Sequence, residues 1–332
     1  MSRPTSSAQS RERIVLLLLL ATALVGPHVI YPLFLVRVLA LALFASAYNL
    51  VFGYAGMLGF GHAAFFGLAS YTVAQSSLVL PITPEIALLF GVAVSALFGG
   101  LCGWLAIRRQ GLYFAMITLA LSQLVFFYFA QADWAKGEDG IQSVPRGAFL
   151  GLIDLSDNLR QYYFVLFMFL IGFAVLYRTI NSPFGEVLKA VRDNEDRATS
   201  LGYSTSHVKL MAFTISAAVS GLAGGLVALS FQLASLSDLH YMLSAEVILM
   251  VLIGGAGTML GPVVGAAVVV AMQSYFAPLG AWVLVAQGVV FVIFVLTMRS
   301  GIVGAAESLA DRINMHRGNN HLRDNTRVGA ED

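Results

Sequence analysis

Charge is what this sequence has least of. Only 11% of its 332 residues are Asp, Glu, Lys or Arg, against 58% apolar. Cysteine occurs once, as Cys102 within an apolar run, so no intrachain disulfide can form and a cysteine-rich metal or redox centre is unsupported. That thiol reads as a small buried apolar side chain. There is no G-x-x-x-x-G-K-[ST] phosphate loop to cradle a nucleotide, so the chain does not hydrolyse ATP by that route. H-E-x-x-H, a G-x-S-x-G elbow and a paired-carboxylate site are also missing, which disfavours a membrane-embedded enzyme. Acidic pairs in mid-span, usual in a proton- or sodium-coupled carrier, are lacking too.

What is there is a series of long apolar runs. Mean hydropathy is +0.80, and 85-EIALLFGVAVSALFGGLCGWLAI-107 carries a single charge, at its edge. Such runs meet the transmembrane criterion. A window of about 20 residues predicts apolar spans near 14–30, 33–51, 56–79, 85–107, 111–132, 162–180, 210–231, 245–254, 261–276 and 281–298. The eighth is too short to cross alone. The expected fold is all-α, a polytopic integral membrane protein with roughly 8–10 transmembrane helices and Gly-interrupted segments. The first run follows 11-RER-13 and reaches an A-x-A at Ala21 to Ala23, as a signal peptide does. Pro27 and Pro32 are compatible with a break between two spans, and we read the run as retained.

The few basic residues fix an orientation. Lys and Arg cluster at Arg11/Arg13, at Arg108/Arg109, between Arg178 and Lys209, and from Arg299 to Arg327, which places those segments in the cytoplasm. Segment 133–161 then falls outside by parity. This gives a cytoplasmic segment 1–13, a membrane domain 14–304 with an external loop 133–161 and a cytoplasmic loop 181–209, and a cytoplasmic tail 305–332. The tail lacks apolar periodicity and is expected to be disordered.

The loop 181-NSPFGEVLKAVRDNEDRATSLGYSTSHVK-209 is an island of charge. Ser182 suits an N-cap, Pro183 the first helical position and Gly202 the position past the end, so one helix of ~28 Å is predicted over 183–201. Phe184, Val187, Leu188, Val191, Ala198 and Leu201 fall on one face, and Glu186, Lys189, Arg192, Asp193, Asp196 and Arg197 occupy the rest. A purely interfacial helix would be rich in Lys and Arg on its polar face. Here acids match bases, and the better reading is a docking surface for a protein, on which reversing an exposed charge such as Arg192 should barely disturb the fold. A docking helix on a chain without a motor points to an ATPase supplied by another chain.

Several stretches together resemble the membrane subunits of the branched-chain amino acid ABC importer family, of the LivM type. They are 49-NLVFGYAGMLGFGHAAFFGLASY-71, 111-GLYFAMITLALSQ-123, 184-FGEVLKAVRDNEDRATSLGY-203 leading into KLMAFTISAAVSGLAGGL, and 254-GGAGTMLGPVVGA-266. The resemblance extends over most of 33–300. It implies that 184–203 is the cytoplasmic coupling helix that inserts into an ATPase groove, with Phe184, Glu186, Lys189, Arg192, Asp193, Glu195, Arg197 and Gly202 as its candidate contacts. It also implies a homologous LivH-like permease partner, two cytoplasmic ATPase subunits that carry ATP and Mg, and an extracytoplasmic binding protein, in a bacterial inner membrane. The chain itself would hold no cofactor. A hydrophobic, branched-chain amino acid is the implied cargo, with urea, short amides or small aromatic acids as alternatives. From another class, a self-sufficient channel or secondary carrier is the competing reading.

The glycine-rich motifs have a physical logic of their own. Gly53, Gly56, Gly59 and Gly61 interrupt one apolar run, and Gly254, Gly255, Gly257, Gly261 and Pro262 interrupt another, as broken helices do where backbone lines a cavity. The shared G-x-A-G pattern hints at an internal repeat, although a five-plus-five division of the spans does not set the two at corresponding positions. Gly99/Gly103, Gly221/Gly225 and Gly257/Gly261/Gly265 have small-xxx-small spacing and read as close helix packing. The permeation or gate candidates are Asn49, Gly53, Gly56, Gly59, Gly61, His62, Gly254, Gly255 and Gly257. Asn49 also suits a helix-to-helix hydrogen bond, and a lone His62 without ligand spacing suits a structural role more than a metal. Arg37 lies near an external end and can snorkel, so its charge alone does not mark a site. In the external loop, Asp139 and Gly140 match the family, whereas Lys136 stands where the family has glycine and Glu138 where it has a small residue. These four residues are the candidate docking surface for a binding protein, with a plain solvated loop as the alternative.

Overall fold

The computed structural model describes residues 23–80, 82–280, 282–297 and 301–305. The predicted first span and the terminal segments 1–13 and 306–332 therefore lie largely or wholly outside the described residues. Helix α1 (Pro32–Asn49) starts with proline at a position whose N–H needs no partner and runs into a π turn, Leu50–Tyr54. Residues 55–61 are non-helical, and α2 follows (His62–Val79). Then come α3 (Pro84–Ala106), α4 (Leu112–Gln131) and α5 (Asn158–Ile180). The island forms α6 (Pro183–Asp193) and α7 (Glu195–Ser200), and α8 (Thr205–Phe231), α9 (Tyr241–Gly254), α10 (Gly261–Phe276) and α11 (Trp282–Thr297) follow. Among the described residues, five helical runs are long and apolar enough to cross a membrane: Pro32–Tyr54, Pro84–Ala106, Leu112–Gln131, Asn158–Ile180 and Thr205–Phe231.

The patterning is inside-out relative to a water-soluble bundle. On α3 the buried positions include Ala87, Gly91, Ser95, Gly99, Cys102 and Ala106, spaced by three or four, while Leu97, Leu101 and Trp104 are exposed. Small residues let backbones approach, and large apolar ones face the hydrocarbon, because lipid gives no hydrophobic drive for helices to associate. The partner is α8, the longest helix, which packs closely against α1, α2 and α3. A Cβ on Gly99 would lie 2.2 Å from the Ala217 Cβ, so this seam tolerates no added methyl without movement. The small-xxx-small reading of Gly99/Gly103 and Gly221/Gly225 thus describes the α3–α8 contact. Trp104 lies under the Arg108 guanidinium, 4.3 Å from its ring centroid, at the end of the span.

One end of the bundle carries the island, the α3–α4 turn with Arg109, and both glycine-rich breaks. The opposite end carries 133–157, pinned rather than loose. Strand β1 (Ile141–Gln142) pairs antiparallel with β4 (Leu233–Ala234), and β2 (Ala148–Phe149) with β3 (Ile153–Asp154). Arg146 donates from Nη2 to the Ser230 carbonyl at 2.9 Å and from Nη1 to Asn158 Oδ1 at 3.0 Å. The predicted external loop is therefore a clasp on the start of α5 and the end of α8.

The island departs from expectation in one respect. The predicted single helix over 183–201 is two, because Asn194 leaves helical geometry (φ −160°, ψ 101°) and its Oδ1 accepts from the Arg197 N–H at 2.9 Å, capping α7. Ser182 precedes Pro183 as expected, but its hydroxyl donates to the Thr179 carbonyl instead of capping α6. Leu188, Val191 and Ala198 are buried as the apolar face requires. Leu201, assigned to that face, is 71% exposed, because it caps the end of α7 beyond its last helical residue.

Candidate functional site

The site is built from three pieces of backbone that meet at one point. Asn49, the last residue of α1, accepts at Oδ1 from the Gly257 N–H at 2.9 Å and donates from Nδ2 to the Thr258 carbonyl at 2.8 Å. It thereby pins the loop between α9 and α10 to the break after α1. The two G-x-A-G motifs, 53–56 and 254–257, are neighbours in space. Gly53 makes this fit: a Cβ there would come within 2.1 Å of Asn49 Oδ1 and 2.4 Å of the Gly257 nitrogen. Nothing larger than hydrogen can occupy that crossing.

Onto it comes the island. Arg192 of α6 donates from Nη1 to the Gly53 carbonyl at 2.8 Å, and its Nη2 pairs with Asp193 Oδ1 at 2.9 Å. Gly56, with φ +71°, lies directly under that side chain; a Cβ there would sit 2.7 Å from Arg192 Cγ. Lys189 reaches the same turn, its Nζ 5.9 Å above the Tyr54 ring, while bridging to Glu186 at 2.9 Å. Glu195 completes the brace: one oxygen, Oε2, accepts from Lys209 Nζ of α8 and from Gln110 Nε2 at 2.7 Å. A cavity of about 490 Å³ lies between these parts, lined by Gly56, Met57, Arg109, Phe114, Arg192 and Glu195 among others.

This corrects the expectation for Arg192. Though exposed, it is not a free charge: it ties α6 to the glycine crossing, and half-buried Glu195 likewise braces its own chain. Glu186, Arg192, Asp193 and Arg197 are the exposed charged members of the predicted coupling set, with Leu201 and Tyr203 exposed beside Gly202. Phe184 packs partly buried against the core. Gly202 adopts φ +89°, the left-handed geometry expected past a helix end.

The remaining candidates separate into different places. Gly59 and Gly61 belong to the unwound stretch held by the Tyr48 hydroxyl, which donates to the Gly59 carbonyl at 3.1 Å, and by Thr118 Oγ1, which accepts from the Phe60 N–H at 3.2 Å. Gly254 and Gly255 form the end of α9 against Gly261. His62 is fully buried, with Tyr48, Phe65 and Phe213 edge-on to its ring. Its Nε2 lies 3.1 Å from Ser216 Oγ, whose own proton goes to the Ala47 carbonyl at 2.6 Å, so Nε2 is the donor. It ties α1, α2 and α8 together. Among the described residues no group of three or more His, Cys, Asp or Glu could hold a metal ion. At the opposite end, Lys136 has φ +58°, a left-handed conformation that explains why glycine suits this position, and Glu138 and Asp139 are exposed beside it. Sequence reasoning missed Asn194, Gln110 and Lys209 as parts of the island's support. For Asn194 the signal was present, an N-cap residue followed by Glu195 and Asp196 in a first turn.

Residues 31–298, all the helices from α1 to α11, match the model of the family described as branched-chain amino acid transport system / permease component. The chain belongs to this family. It is 27% identical over 278 residues to the high-affinity branched-chain amino acid transport system permease protein LivM of Salmonella typhimurium, covering 77% of this chain and 65% of that one. The LivM of Escherichia coli is 26% identical over the same shares. The autoinducer 2 import system permease protein LsrC of Klebsiella pneumoniae is 30% identical over 184 residues, 52% of this chain and 50% of that one. The chain thus spans 65% or less of the length of these relatives. No solved structure matches it. Family and fold together make this a polytopic membrane protein of permease type.

Proposed function

We propose that the chain is a membrane-spanning subunit of an ATP-driven importer, with the island as its link to ATPase subunits in the cytoplasm and 133–157 facing outside. In this reading a second, LivH-like permease completes the pathway, and ATP and Mg are bound and used on the partner chains. An extracytoplasmic binding protein delivers the cargo, a hydrophobic amino acid. The membrane is a bacterial inner membrane. The observation that carries the reading is the hydrogen bond from Arg192 to the Gly53 carbonyl. It joins a short, exposed, mixed-charge helix to the point where α1, α9 and α10 meet, so force applied to the island reaches three helices at once. The test is reconstitution: with its partners in proteoliposomes the chain passes amino acid only when ATP is hydrolysed, whereas a channel or secondary carrier passes it alone.

A second reading keeps the machine and changes the cargo. The similarity to LsrC over half the chain supports a permease whose solute is not an amino acid. Competition for ATP-driven uptake between L-leucine and small polyols separates the two.

A further inference from the structure

At the end opposite the island, charges converge that no helix-packing role explains. Two contiguous cavities, of about 260 and 580 Å³, share Arg37 of α1, Asp238 of the α9 approach, and Leu243 and Glu246 of α9. The inner one is walled by Leu41, Phe66, Val227 and Phe231, and the outer one opens past Glu138 and His240. Ligand pockets have this size and this balance of apolar wall with a few convergent polar groups.

Arg37 acts on both carboxylates from a distance but closes a direct pair with neither. Among the described residues the ion pairs are all on the island and none joins Arg37 to a carboxylate. Arg37 donates from Nη2 to Gln273 Oε1, at 3.3 Å. Asp238 Oδ2 accepts from the Ser70 hydroxyl at 3.0 Å and from the Ser235 N–H at 3.3 Å, which fixes its direction without neutralising it. Glu246 Oε1 is out of contact with solvent and has no hydrogen-bond partner among the described residues. Asp238 lies outside the spans, between α8 and α9, and burial pushes its carboxyl up to about 6 against the pull of Ser235, Ser70 and Arg37. A buried carboxylate oxygen without a donor is costly unless it takes a proton or something cationic comes to it.

We infer that this Arg37–Asp238–Glu246 cavity is a ligand site inside the permease itself, taking a small zwitterion with an apolar side chain. The ligand's ammonium pairs with Glu246 and Asp238, its carboxylate with Arg37, and its side chain enters the wall of Leu41, Phe66 and Val227. An anionic acid without an amine would face two carboxylates against one guanidinium, and urea would leave all three charges unanswered. The inference rests on the importer reading for its cargo, and it adds that specificity is read a second time after delivery. The same ammonium could come from a phosphatidylethanolamine headgroup.

The experiment uses the assembled transporter without its binding protein, in phosphatidylglycerol nanodiscs that bring no ammonium of their own, with radiolabelled L-leucine as probe. Saturable binding is expected, displaced by L-leucine but not by 4-methylpentanoate, and only weakly by L-leucinamide. Glu246→Gln and Arg37→Gln are each expected to weaken it about ten-fold or more. Because these changes could disturb folding, Leu243→Cys in a Cys102→Ser background is the second variant: L-leucine should protect its thiol from an impermeant reagent. No leucine binding, binding that ignores the ammonium, or a thiol modified equally with and without leucine would overturn the site. Loss of binding when phosphatidylethanolamine is restored would show the lipid as the resident and overturn the amino acid as ligand. ATP-driven uptake by the wild-type complex is measured alongside. If it proceeds while the site fails, the importer reading stands without it; if no ATP-driven uptake occurs, that reading fails separately.

Discussion

The Arg192 guanidinium and the Gly53 carbonyl are 2.8 Å apart, across 139 residues of sequence, and this contact divides the island into two surfaces. The inner surface, Arg192 and Glu195, holds the protein's own glycine crossing and α8. The outer surface, with Glu186, Asp193 and Arg197 exposed, is the one the proposed reading assigns to a partner. A charge-reversal experiment therefore means different things on the two sides.

On the outer side, Arg197→Glu and Glu186→Lys should leave insertion and folding intact, because exposed substitutions usually change stability by about 0.5 kcal/mol or less. Capture of the ATPase subunits should weaken several-fold and recover with an opposite reversal on the ATPase. Co-purification from membranes measures this, and unaltered capture by both variants would remove these residues from the interface.

At the crossing, Gly53→Ala places a Cβ 2.1 Å from Asn49 Oδ1. Gly56→Leu adds bulk at a left-handed φ of +71° beneath Arg192. Overpacking commonly costs about 1–3 kcal/mol. Uptake should collapse in both while assembled complex is still recovered from detergent extracts. Wild-type uptake by either variant would show that the crossing is not tight.

Asn194→Ala removes the cap of α7, a loss of about 0.5–2 kcal/mol, and Asn194→Asp or Asn194→Ser should restore most of it. Hydrogen exchange at the Arg197 and Ala198 amides reads the effect directly. Equal protection in Asn194→Ala and the parent would mean that the break does not depend on this side chain.

Orientation is checked with two engineered cysteines in a Cys102→Ser background. Ser143 and Ser200 are both exposed and lie at opposite ends of the bundle. An impermeant thiol reagent added to intact cells should modify position 143 and spare 200. The reverse pattern would invert the topology.

Much of this fold was legible because a membrane writes its demands in runs of apolar residues, and the breaks in those runs were written in glycine. The spans predicted at 85–107, 111–132 and 261–276 differ from α3, α4 and α10 by a residue or so at their ends. Asn49 was legible as a polar residue ending a span, but not its partners, because Gly257 and Thr258 lie more than 200 residues away. The inward turn of Arg192 was hidden for a similar reason. Helical periodicity says which residues share a face, not that a solvent-side arginine finds a carbonyl freed by a π turn and an unwound stretch in another helix. Arg37 was set aside as a snorkelling charge because Glu246 and Asp238, which share its cavity, come from the distant α8–α9 region.

The central claim is that the island moves the glycine crossing through Arg192. It is tested most directly by the number of cargo molecules transported per ATP hydrolysed, measured in proteoliposomes for Arg192→Gln, which removes the charge and the reach to Gly53, with Asp193→Asn as the control for the Arg192–Asp193 pair lost alongside. The account predicts that ATPase subunits stay bound and hydrolysis continues, while the transport ratio falls about ten-fold or more, the equivalent of losing about 1.4 kcal/mol of coupling. A ratio equal to that of the parent protein would contradict it.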